Sequence, residues 1–350
     1  MKTNRTILKG GFIGLGRMGL THYSILNKLD NIEIVAVCDN SKSILNIFGK
    51  YVPVKLFKNS EDMFNDCKLD FVIISTPPGY HHIDIKKAIY SNVNIFVEKP
   101  FVMDLDDGEE IIALIEKKDL INQVGYNIRH NDSFLKLKEI LDQKIIGDIK
   151  TFRSEMFGST IQNSSNSSWR DNKTVGGGCI YEFASHAIDL IFNYFGSPNK
   201  IIGSTIQKVY SKNTDDLVQS TFLYNNNLTG SLIANWSDAS FRKPTNRILL
   251  FGTNGSIVAD KYSLKIFLKQ TDKINNLKKG WNTLYITDIF EPVKYYVRGY
   301  EYTRQLNNFI DSIVHKKKIG GPSFHEAFEI DIIINRIIEN SKENQLRIIK

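Results

Sequence analysis

Short apolar runs alternate with amphipathic stretches from the start of the chain to about residue 126. The apolar runs predict strands at residues 7–13, 32–38, 54–57, 70–75, 93–97 and 122–126. The amphipathic stretches predict helices at residues 17–29, 42–50, 60–66, 81–91, 104–118 and 131–143. Because strands that alternate with helices pair in parallel and are covered on both faces, this pattern predicts a Rossmann-type, doubly wound sheet.

The pattern changes after residue 148. The segment Ser159–Thr174 is rich in Ser and Asn and predicts a long loop, of which we interpret residues 159–168 as a candidate lid. Three glycines, Gly176–Gly178, precede a further helix. Residues 199–290 hold apolar runs separated by Asn-rich and Asn-Gly turn signals, without a long helix between them, and therefore predict an antiparallel sheet.

These patterns predict an α/β plus α+β protein with two domains, and 350 residues suffice for two cores. The N-terminal domain, residues 1–126, is the Rossmann doubly wound parallel sheet. Residues 127–350 form a domain with a large, mostly antiparallel open sheet. Two helices, at about 300–315 and 324–341, close the chain, and the last can pack back on the N-terminal domain.

Composition excludes several classes of protein. Apolar residues make up 42% of the chain and charged residues 24%, as in ordinary globular proteins. No apolar run reaches the ~18–20 residues of a membrane-spanning helix, and three scattered cysteines suit a reduced, cytoplasmic protein. The net charge of +7 comes from lysines spread along the chain, which argues against nucleic-acid binding but leaves a mild preference for anionic substrates.

The first strand runs directly into the segment Gly14-Leu15-Gly16-Arg17-Met18-Gly19. A Gly-x-Gly-x-x-Gly spacing is weak evidence alone, but a strand precedes this one and a helix follows it, as a dinucleotide site requires. Gly14 permits the tight turn, Gly16 lets the backbone approach a pyrophosphate, and Gly19 lets the helix pack closely on the strand.

Asp39 ends the second strand, about 20 residues after the last of these glycines. Its carboxylate can accept hydrogen bonds from the ribose of the adenosine half and would repel a 2′-phosphate. We therefore expect NAD as the cofactor, although the nearby Lys42 leaves NADP open.

A second candidate segment for binding or catalysis is Glu98-Lys99-Pro100, which directly follows the strand at 93–97. A lysine at the carboxyl end of a central strand would face the nicotinamide end of a bound dinucleotide. Pro100 can hold the turn in one shape, for example through a cis bond.

A third segment follows the glycines at 176–178. On a helix, Glu182 and His186 are four residues apart and share a face, and Asp189 lies one turn further along. His186 can exchange a proton near neutral pH. Glu182 and His186 also have the spacing of metal ligands, but no third His or Cys is evident near them, so we expect no metal.

In this order along the chain, the motifs resemble the Gfo/Idh/MocA family of NAD(P)-dependent sugar oxidoreductases, named after glucose–fructose oxidoreductase and inositol dehydrogenase. The segments that carry the resemblance are Gly14–Gly19, Ser75–His81, Glu98–Pro100, Gly125–Arg129, Trp169-Arg170, Gly176–Asp189 and Phe251–Ile257. They span nearly the whole chain.

The resemblance implies roles for the matching residues. Lys99 matches the active-site lysine that hydrogen-bonds the reacting sugar oxygen, and His186 matches the acid/base histidine. Glu182, the third catalytic candidate, stands where many members carry Asp, and its extra methylene moves the carboxylate by about 1 Å. The implied cofactor-binding positions are Gly14, Leu15, Gly16, Arg17, Met18, Gly19, Asp39, Thr76, Pro77, His81, Glu98, Lys99 and Asn127. The candidate substrate-binding positions are Lys99, Arg129, Trp169, Arg170, Glu182 and His186.

Arg129 and Arg170 are candidates because a guanidinium offers paired donors to a sugar or phosphate, but either can instead form a salt bridge on the surface of its domain. The favoured hypothesis is a dehydrogenase or ketoreductase acting on a nucleotide-activated or otherwise anionic sugar in polysaccharide or glycan biosynthesis. Two alternatives keep the fold: an NAD-dependent glycoside hydrolase without net redox, and a non-enzymatic regulator that senses dinucleotide. The resemblance also implies a homodimer or homotetramer formed through the C-terminal sheet, with no membrane or nucleic-acid partner.

Overall fold

The apolar runs of the N-terminal part form a six-stranded parallel sheet in the computed structural model, which describes residues 7–160 and 169–348. The strands are β1 (Leu8–Ile13), β2 (Ile32–Cys38), β3 (Lys55–Phe57), β4 (Phe71–Ile74), β5 (Asn94–Val97) and β6 (Asn122–Val124). The helices that follow them in turn are α1 (Arg17–Leu26), α2 (Lys42–Tyr51), α3 (Ser60–Asp66), α4 (His81–Tyr90), α5 (Leu105–Ile115) and α6 (Asp132–Asp142). Each of these elements lies within a few residues of its predicted range.

The strand order is β3-β2-β1-β4-β5-β6, with every pair parallel. This is the order of the doubly wound dinucleotide-binding fold, in which ligands bind outside the carboxyl ends of the strands where the order reverses. Here the order reverses between β1 and β4. All four residues of β4 are buried, because helices cover both faces of the sheet. The predicted Rossmann sheet is confirmed.

The C-terminal part contains an eight-stranded sheet in the order β14-β13-β12-β11-β7-β10-β9-β8. Its strands are β7 (Ile149–Phe157), β8 (Lys200–Gln207), β9 (Leu217–Leu223), β10 (Thr229–Asn235), β11 (Thr245–Gly252), β12 (Gly255–Asp260), β13 (Ser263–Leu268) and β14 (Gly280–Tyr285). Only β7 and β10 pair in parallel. The remaining helices of the described residues are α7 (Ser185–Phe195), α8 (Ile286–Ile289), α9 (Tyr300–His315) and α10 (Phe324–Ile348). The predicted large, mostly antiparallel sheet is confirmed.

Strand β7 lies in the middle of this sheet although the sequence analysis did not assign it. Its side chains alternate: Phe152, Ser154 and Met156 are buried, whereas Thr151 and Arg153 are exposed. The ring of Phe152 stacks at 4.8 Å on Phe195 of α7. Of the three buried residues only Phe152 and Met156 are apolar, with Ser154 between them, so the period of two is weak in the sequence of this strand.

The chain divides into two compact units, and the division differs from the predicted one. Residues up to 127 group with 293–328, and residues 128–292 group with the residues from 329 onward. The predicted boundary after residue 126 lies beside the observed one, but the segment 293–328 belongs with the nucleotide-binding unit.

The apolar face of α9 explains why the segment 293–328 groups with the residues up to 127. The ring of Phe309 lies 6.1 Å from that of Phe71 in β4 and 5.7 Å from that of Phe96 in β5, both edge-on. Leu306 and Ile310 belong to the same buried cluster. The first residues of α10 also lie in this unit, where the ring of Phe324 is 4.6 Å from that of Phe101.

The candidate lid falls largely on residues 161–168, which lie outside the described part of the chain. Among residues 7–160 and 169–348, no helix has both the length and the apolar character needed to cross a bilayer.

Candidate active site

Three glycines shape the loop after β1, each for a different reason. Gly14 has a φ of +88°, and a Cβ on it would lie 2.8 Å from the carbonyl carbon of Ser75 in the loop after β4. A Cβ on Gly19 would lie 2.0 Å from the carbonyl oxygen of Gly14. A Cβ on Gly16 would have no heavy atom within 4 Å. The protein's own packing therefore requires Gly14 and Gly19, whereas Gly16 borders open space at the start of α1.

Helix α1 begins without a side-chain cap. Four other helices begin with a side-chain oxygen that accepts a backbone N–H, and the capping residues are Ser41 of α2, Asn59 of α3, Asp104 of α5 and Asn131 of α6. The N-cap of α1 is Gly16, and its first turn carries no acidic residue. Because the first N–H groups and the dipole of a helix attract phosphate, the start of α1 fits a dinucleotide pyrophosphate.

Asp39 joins the glycine loop to the start of α2. Its Oδ2 accepts a hydrogen bond of 2.8 Å from the backbone N–H of Leu15, and its Oδ1 accepts one of 2.8 Å from the N–H of Ser41. Each oxygen of a carboxylate has a second lone pair, so these bonds leave Asp39 able to accept from a ribose hydroxyl as well.

Thr76, Pro77 and His81 follow β4, opposite the glycine loop. Thr76 and Pro77 are partly exposed. The side chain of His81 is fully buried, with Nδ1 2.9 Å from the carbonyl oxygen of Pro100 and Nε2 2.9 Å from that of Thr76. Burial lowers the pKa of His81, whereas the hydrogen bonds to these two oxygens act in the opposite direction. His81 thus ties together two loops at the sheet edge, and its place in the lining of the cofactor stays a prediction.

Glu98 and Lys99 follow β5 at the same edge of the sheet, and the Lys99–Pro100 peptide bond is cis. The Oε1 atom of Glu98 lies 2.6 Å from Nε2 of His22, which is buried in α1. The Oε2 atom of Glu98 accepts a 3.4 Å hydrogen bond from the backbone N–H of Lys99. Glu98 is therefore held on both sides by neighbours within the nucleotide-binding unit.

Asn127 and Arg129 follow β6, and both are buried. Arg129 pairs with Asp189 of α7 through an Nε–Oδ1 contact of 2.7 Å. The alternative to substrate binding was a salt bridge on the domain surface, whereas the structure buries the Arg129 pair. The contact of Arg129 with the substrate stays a prediction.

Trp169, Arg170 and Glu182 lie together within the second unit. The Nε atom of Arg170 lies 2.9 Å from Oε1 of Glu182, and both side chains are only partly exposed. The guanidinium also stacks over the indole of Trp169, with its carbon 4.8 Å from the ring centroid. The carboxylate of Glu182 therefore pairs with Arg170, a partner that the sequence analysis did not assign to it.

Two glycines, Gly177 and Gly178, allow Arg170 and Asp215 to lie close to the backbone just before the helical segment. A Cβ on Gly177 would lie 2.2 Å from the carbonyl oxygen of Arg170, and one on Gly178 would lie 2.4 Å from Oδ1 of Asp215. Asp215 accepts a 2.8 Å hydrogen bond through Oδ2 from the N–H of Ile180. Asp215 therefore anchors the start of the helical segment that carries Glu182 and His186.

That segment is not one regular helix. Residues Ile180–Ala184 form a π-helical turn, and α7 begins at Ser185, so Glu182 lies in the turn and the partly exposed His186 is the second residue of α7. A π turn closes with bonds from i to i+5, so four residues make slightly less than one turn there. The wider turn corrects the prediction of a regular helix but leaves Glu182 about one turn before His186.

The sequence analysis did not identify two residues that hold the site in place: His22, which contacts Glu98, and Asp215, which accepts from Ile180. His22 occupies a buried position of α1 together with Gly19, Ile25 and Leu26. A histidine in an otherwise apolar stripe is the signal that would have identified it. Asp215 carried no such signal, because its partner Ile180 is far away in the sequence. Among the described residues, no group of three or more His, Cys, Asp or Glu side chains is arranged to hold a metal ion.

The parallel sheet, the glycine loop and the uncapped α1 define a dinucleotide-binding protein. A family model described as "Oxidoreductase family, NAD-binding Rossmann fold" matches residues 8–126, and one described as "GFO/IDH/MocA C-terminal domain" matches residues 134–258. Together they span more than half of the chain, which belongs to the Gfo/Idh/MocA family of oxidoreductases. The predicted family and its NAD cofactor are confirmed.

The curated relatives share about a quarter of the aligned residues with this chain. An uncharacterized oxidoreductase of Schizosaccharomyces pombe is 26% identical over 55% of this chain and 54% of its own length. The scyllo-inositol 2-dehydrogenase (NADP(+)) of Bacillus subtilis is 23% identical over 62% of this chain and 60% of its own length. The chain thus spans about half of the first of these relatives.

Solved structures resemble the fold over nearly the whole chain. Levoglucosan dehydrogenase in complex with NADH and levoglucosan has a TM-score of 0.83 at 19% identity, covering 97% of this chain and 98% of that one. The apo scyllo-inositol dehydrogenase of Lactobacillus casei has a TM-score of 0.78 at 19% identity, covering 98% of each chain. At 19% identity, these comparisons show that the fold is shared.

Proposed function

We propose that the protein is an NAD-dependent dehydrogenase that acts on a secondary hydroxyl or ketone of a sugar or cyclic polyol. The observation that carries the proposal is Lys99, the second residue after β5, at the carboxyl edge of an NAD-binding sheet. Relatives named for their action on inositols and levoglucosan support the class of substrate.

The residues have distinct roles in this proposal. The start of α1 with Gly16 binds the pyrophosphate, and Asp39 binds the adenosine ribose. NAD, when bound, supplies the hydride acceptor. In the oxidising direction His186 takes the hydroxyl proton, and Lys99 donates a hydrogen bond to the oxygen on which negative charge develops. In the reducing direction His186 returns that proton.

We infer the charge of the substrate from the way in which Arg129 and Arg170 are paired. Arg170 is paired with Glu182 and Arg129 with Asp189, so a carboxylate already balances each guanidinium. Trp169, beside Arg170, offers an aromatic face of the kind that packs on sugar C–H groups. This arrangement supports an uncharged sugar or cyclitol. The nucleotide-activated sugar of glycan biosynthesis becomes the second choice, because both arginines that were candidates for phosphate contacts pair with carboxylates.

A substrate panel tests both choices. The protein is incubated with NAD+ and, separately, scyllo-inositol, levoglucosan, L-sorbose and UDP-glucose, and NADH formation is followed by absorbance. We expect net NADH with an uncharged member. Activity with UDP-glucose alone would reverse the order of the two choices. Glycoside cleavage without net NADH would instead support the hydrolase alternative.

The substitution Lys99→Met tests the mechanism. We expect turnover to fall at least about a hundredfold, since one donor to a developing oxyanion contributes that much, while NADH binding survives. Lys50→Met, on the exposed surface of α2, is the matched control and should retain full activity. Undiminished turnover in K99M would remove Lys99 from the chemistry.

We also propose that the outer face of the second sheet joins two copies of the chain. Phe251 of β11 and Trp281 of β14 are 53% and 64% exposed and lie in one row across the sheet. Glu155 pairs with Arg153 and Arg247 on the same face. Sedimentation velocity should show a smaller species for Phe251→Glu, whereas Tyr51→Glu, at an 82% exposed position of α2, should sediment like the wild type. Equal sedimentation of F251E and the wild type would contradict this interface.

A further inference from the structure

A buried histidine connects the dinucleotide helix to the active-site strand. His22 of α1 is fully buried, and its Nε2 lies 2.6 Å from Oε1 of Glu98 at the end of β5. Its ring also meets that of Phe96 edge-on at 5.2 Å. Because α1 begins where the pyrophosphate is expected and Glu98 directly precedes Lys99, this one contact links the two halves of the proposed site.

The hydrogen-bond roles at this contact follow from chemistry. An ionised carboxylate only accepts, so Nε2 of His22 carries the proton and donates it. Nδ1 of His22 has no hydrogen-bond partner among the described residues. The contact therefore needs an N–H donor at the position of Nε2.

The carboxylate of Glu98 has little freedom to reorient while this bond exists. A Cβ on Gly125, at the end of β6, would lie only 3.1 Å from the carboxyl carbon of Glu98. The N–H of Lys99 reaches the other oxygen at 3.4 Å. The glutamate thus occupies a slot between α1, β6 and the Lys99–Pro100 turn, and within the described part of the chain His22 is the residue that pairs with Oε1.

We propose that His22 is a positioning residue: by donating to Glu98 it holds the Glu98-Lys99-Pro100 turn in the geometry that NAD binding and hydride transfer require. Without the donor, the carboxylate would turn toward water and carry the adjoining Lys99 backbone with it. A displacement of about 1 Å at a reacting group can lower a rate about a hundredfold. The part concerning turnover rests on the proposed dehydrogenase function, whereas the part concerning NADH binding does not.

Three variants of the full chain test the proposal. His22→Leu removes the donor, His22→Gln supplies a neutral amide donor of similar reach, and Ile25→Ala opens a cavity in the same helix without touching Glu98. Ile25 is fully buried, so I25A controls for loss of packing. The dissociation constant for NADH is measured by fluorescence titration, and kcat is measured with NAD+ and the best sugar of the panel, well below every unfolding midpoint.

We expect H22L to bind NADH about tenfold more weakly and to lose about tenfold to a hundredfold in kcat, H22Q to regain most of both, and I25A to keep both. Wild-type NADH affinity in H22L, or an equal loss in I25A, would overturn the proposal. Should H22L not fold, His22→Asn replaces it, because its shorter amide ends too far from Glu98. Failure of the wild type to oxidise any sugar would count against the dehydrogenase alone, since NADH affinity is read separately.

Discussion

At the scale of single residues, two glycines of one loop differ in what surrounds them. Gly19 faces the carbonyl oxygen of Gly14, with no room for a methyl group, whereas Gly16 faces open space. Gly16 has an ordinary φ of −66°, so its backbone does not require glycine. Its missing side chain therefore matters for the ligand, while that of Gly19 matters for the fold.

This difference predicts opposite effects of one added methyl group. Gly16→Ala should leave the thermal midpoint nearly unchanged and weaken NADH binding about tenfold, or about 1.4 kcal/mol, because the methyl enters the space expected for the pyrophosphate. Gly19→Ala should lower stability by about 1–3 kcal/mol through overpacking. Differential scanning fluorimetry and NADH titration separate the two, and equal NADH affinity in G16A and the wild type would contradict the pyrophosphate site.

At the scale of elements, the function depends on how two helical segments begin. Helix α1 begins without a cap, and phosphate binding requires such an exposed start. The segment with Glu182 and His186 begins the opposite way, with the buried Asp215 accepting the N–H of Ile180. Burial raises the pKa of the Asp215 carboxyl, because the ionised side chain costs more free energy to bury than the protonated one.

The raised pKa makes this anchor sensitive to pH. A carboxyl whose folded-state pKa exceeds its unfolded value holds its proton more tightly when folded, so its contribution to stability is greatest below about pH 3.9 and falls as the pH rises through the folded pKa. Asp215→Asn keeps the acceptor and removes the titration. The thermal midpoint of the wild type minus that of D215N should therefore decrease from acidic to neutral pH.

The control for this experiment is Asp148→Asn, whose side chain is 65% exposed and bridges to Lys144. Its difference from the wild type should not show the decrease seen with D215N. The thermal midpoint of the wild type minus that of D215N is the quantity to compare. If this difference stayed constant or rose toward neutral pH, the role assigned to Asp215 would be contradicted.

At the scale of the whole molecule, the nucleotide-binding unit is assembled from two distant parts of the chain. Residues up to 127 provide the six strands, and the segment 293–328 provides α9, which closes one face of their core. Phe309 is fully buried there against Phe71 and Phe96. The stability of the NAD site therefore depends on residues that follow the second sheet in sequence.

Phe309→Ala tests this dependence. Deleting a buried phenylalanine costs about 3–5 kcal/mol, and NAD stabilises only the unit that binds it. Calorimetry with and without NAD should show that F309A lowers the transition that NAD raises. Phe222→Ala, at a fully buried position of β9 in the second unit, should act on the other unit. An unchanged NAD-sensitive transition in F309A would show that α9 does not support the nucleotide-binding unit.

The sequence by itself determined the parallel sheet, the glycine loop, the acid at the end of β2 and the positions of Lys99 and His186. These features are local, because hydrophobic period, turn chemistry and motif spacing act within about twenty residues. Only the tertiary structure decided that α9 completes the first unit, that Arg170 pairs with Glu182, and that His22 donates to Glu98, 76 positions away. Such contacts depend on which surfaces folding brings together, and a polar residue's own neighbours in sequence carry no record of its distant partner.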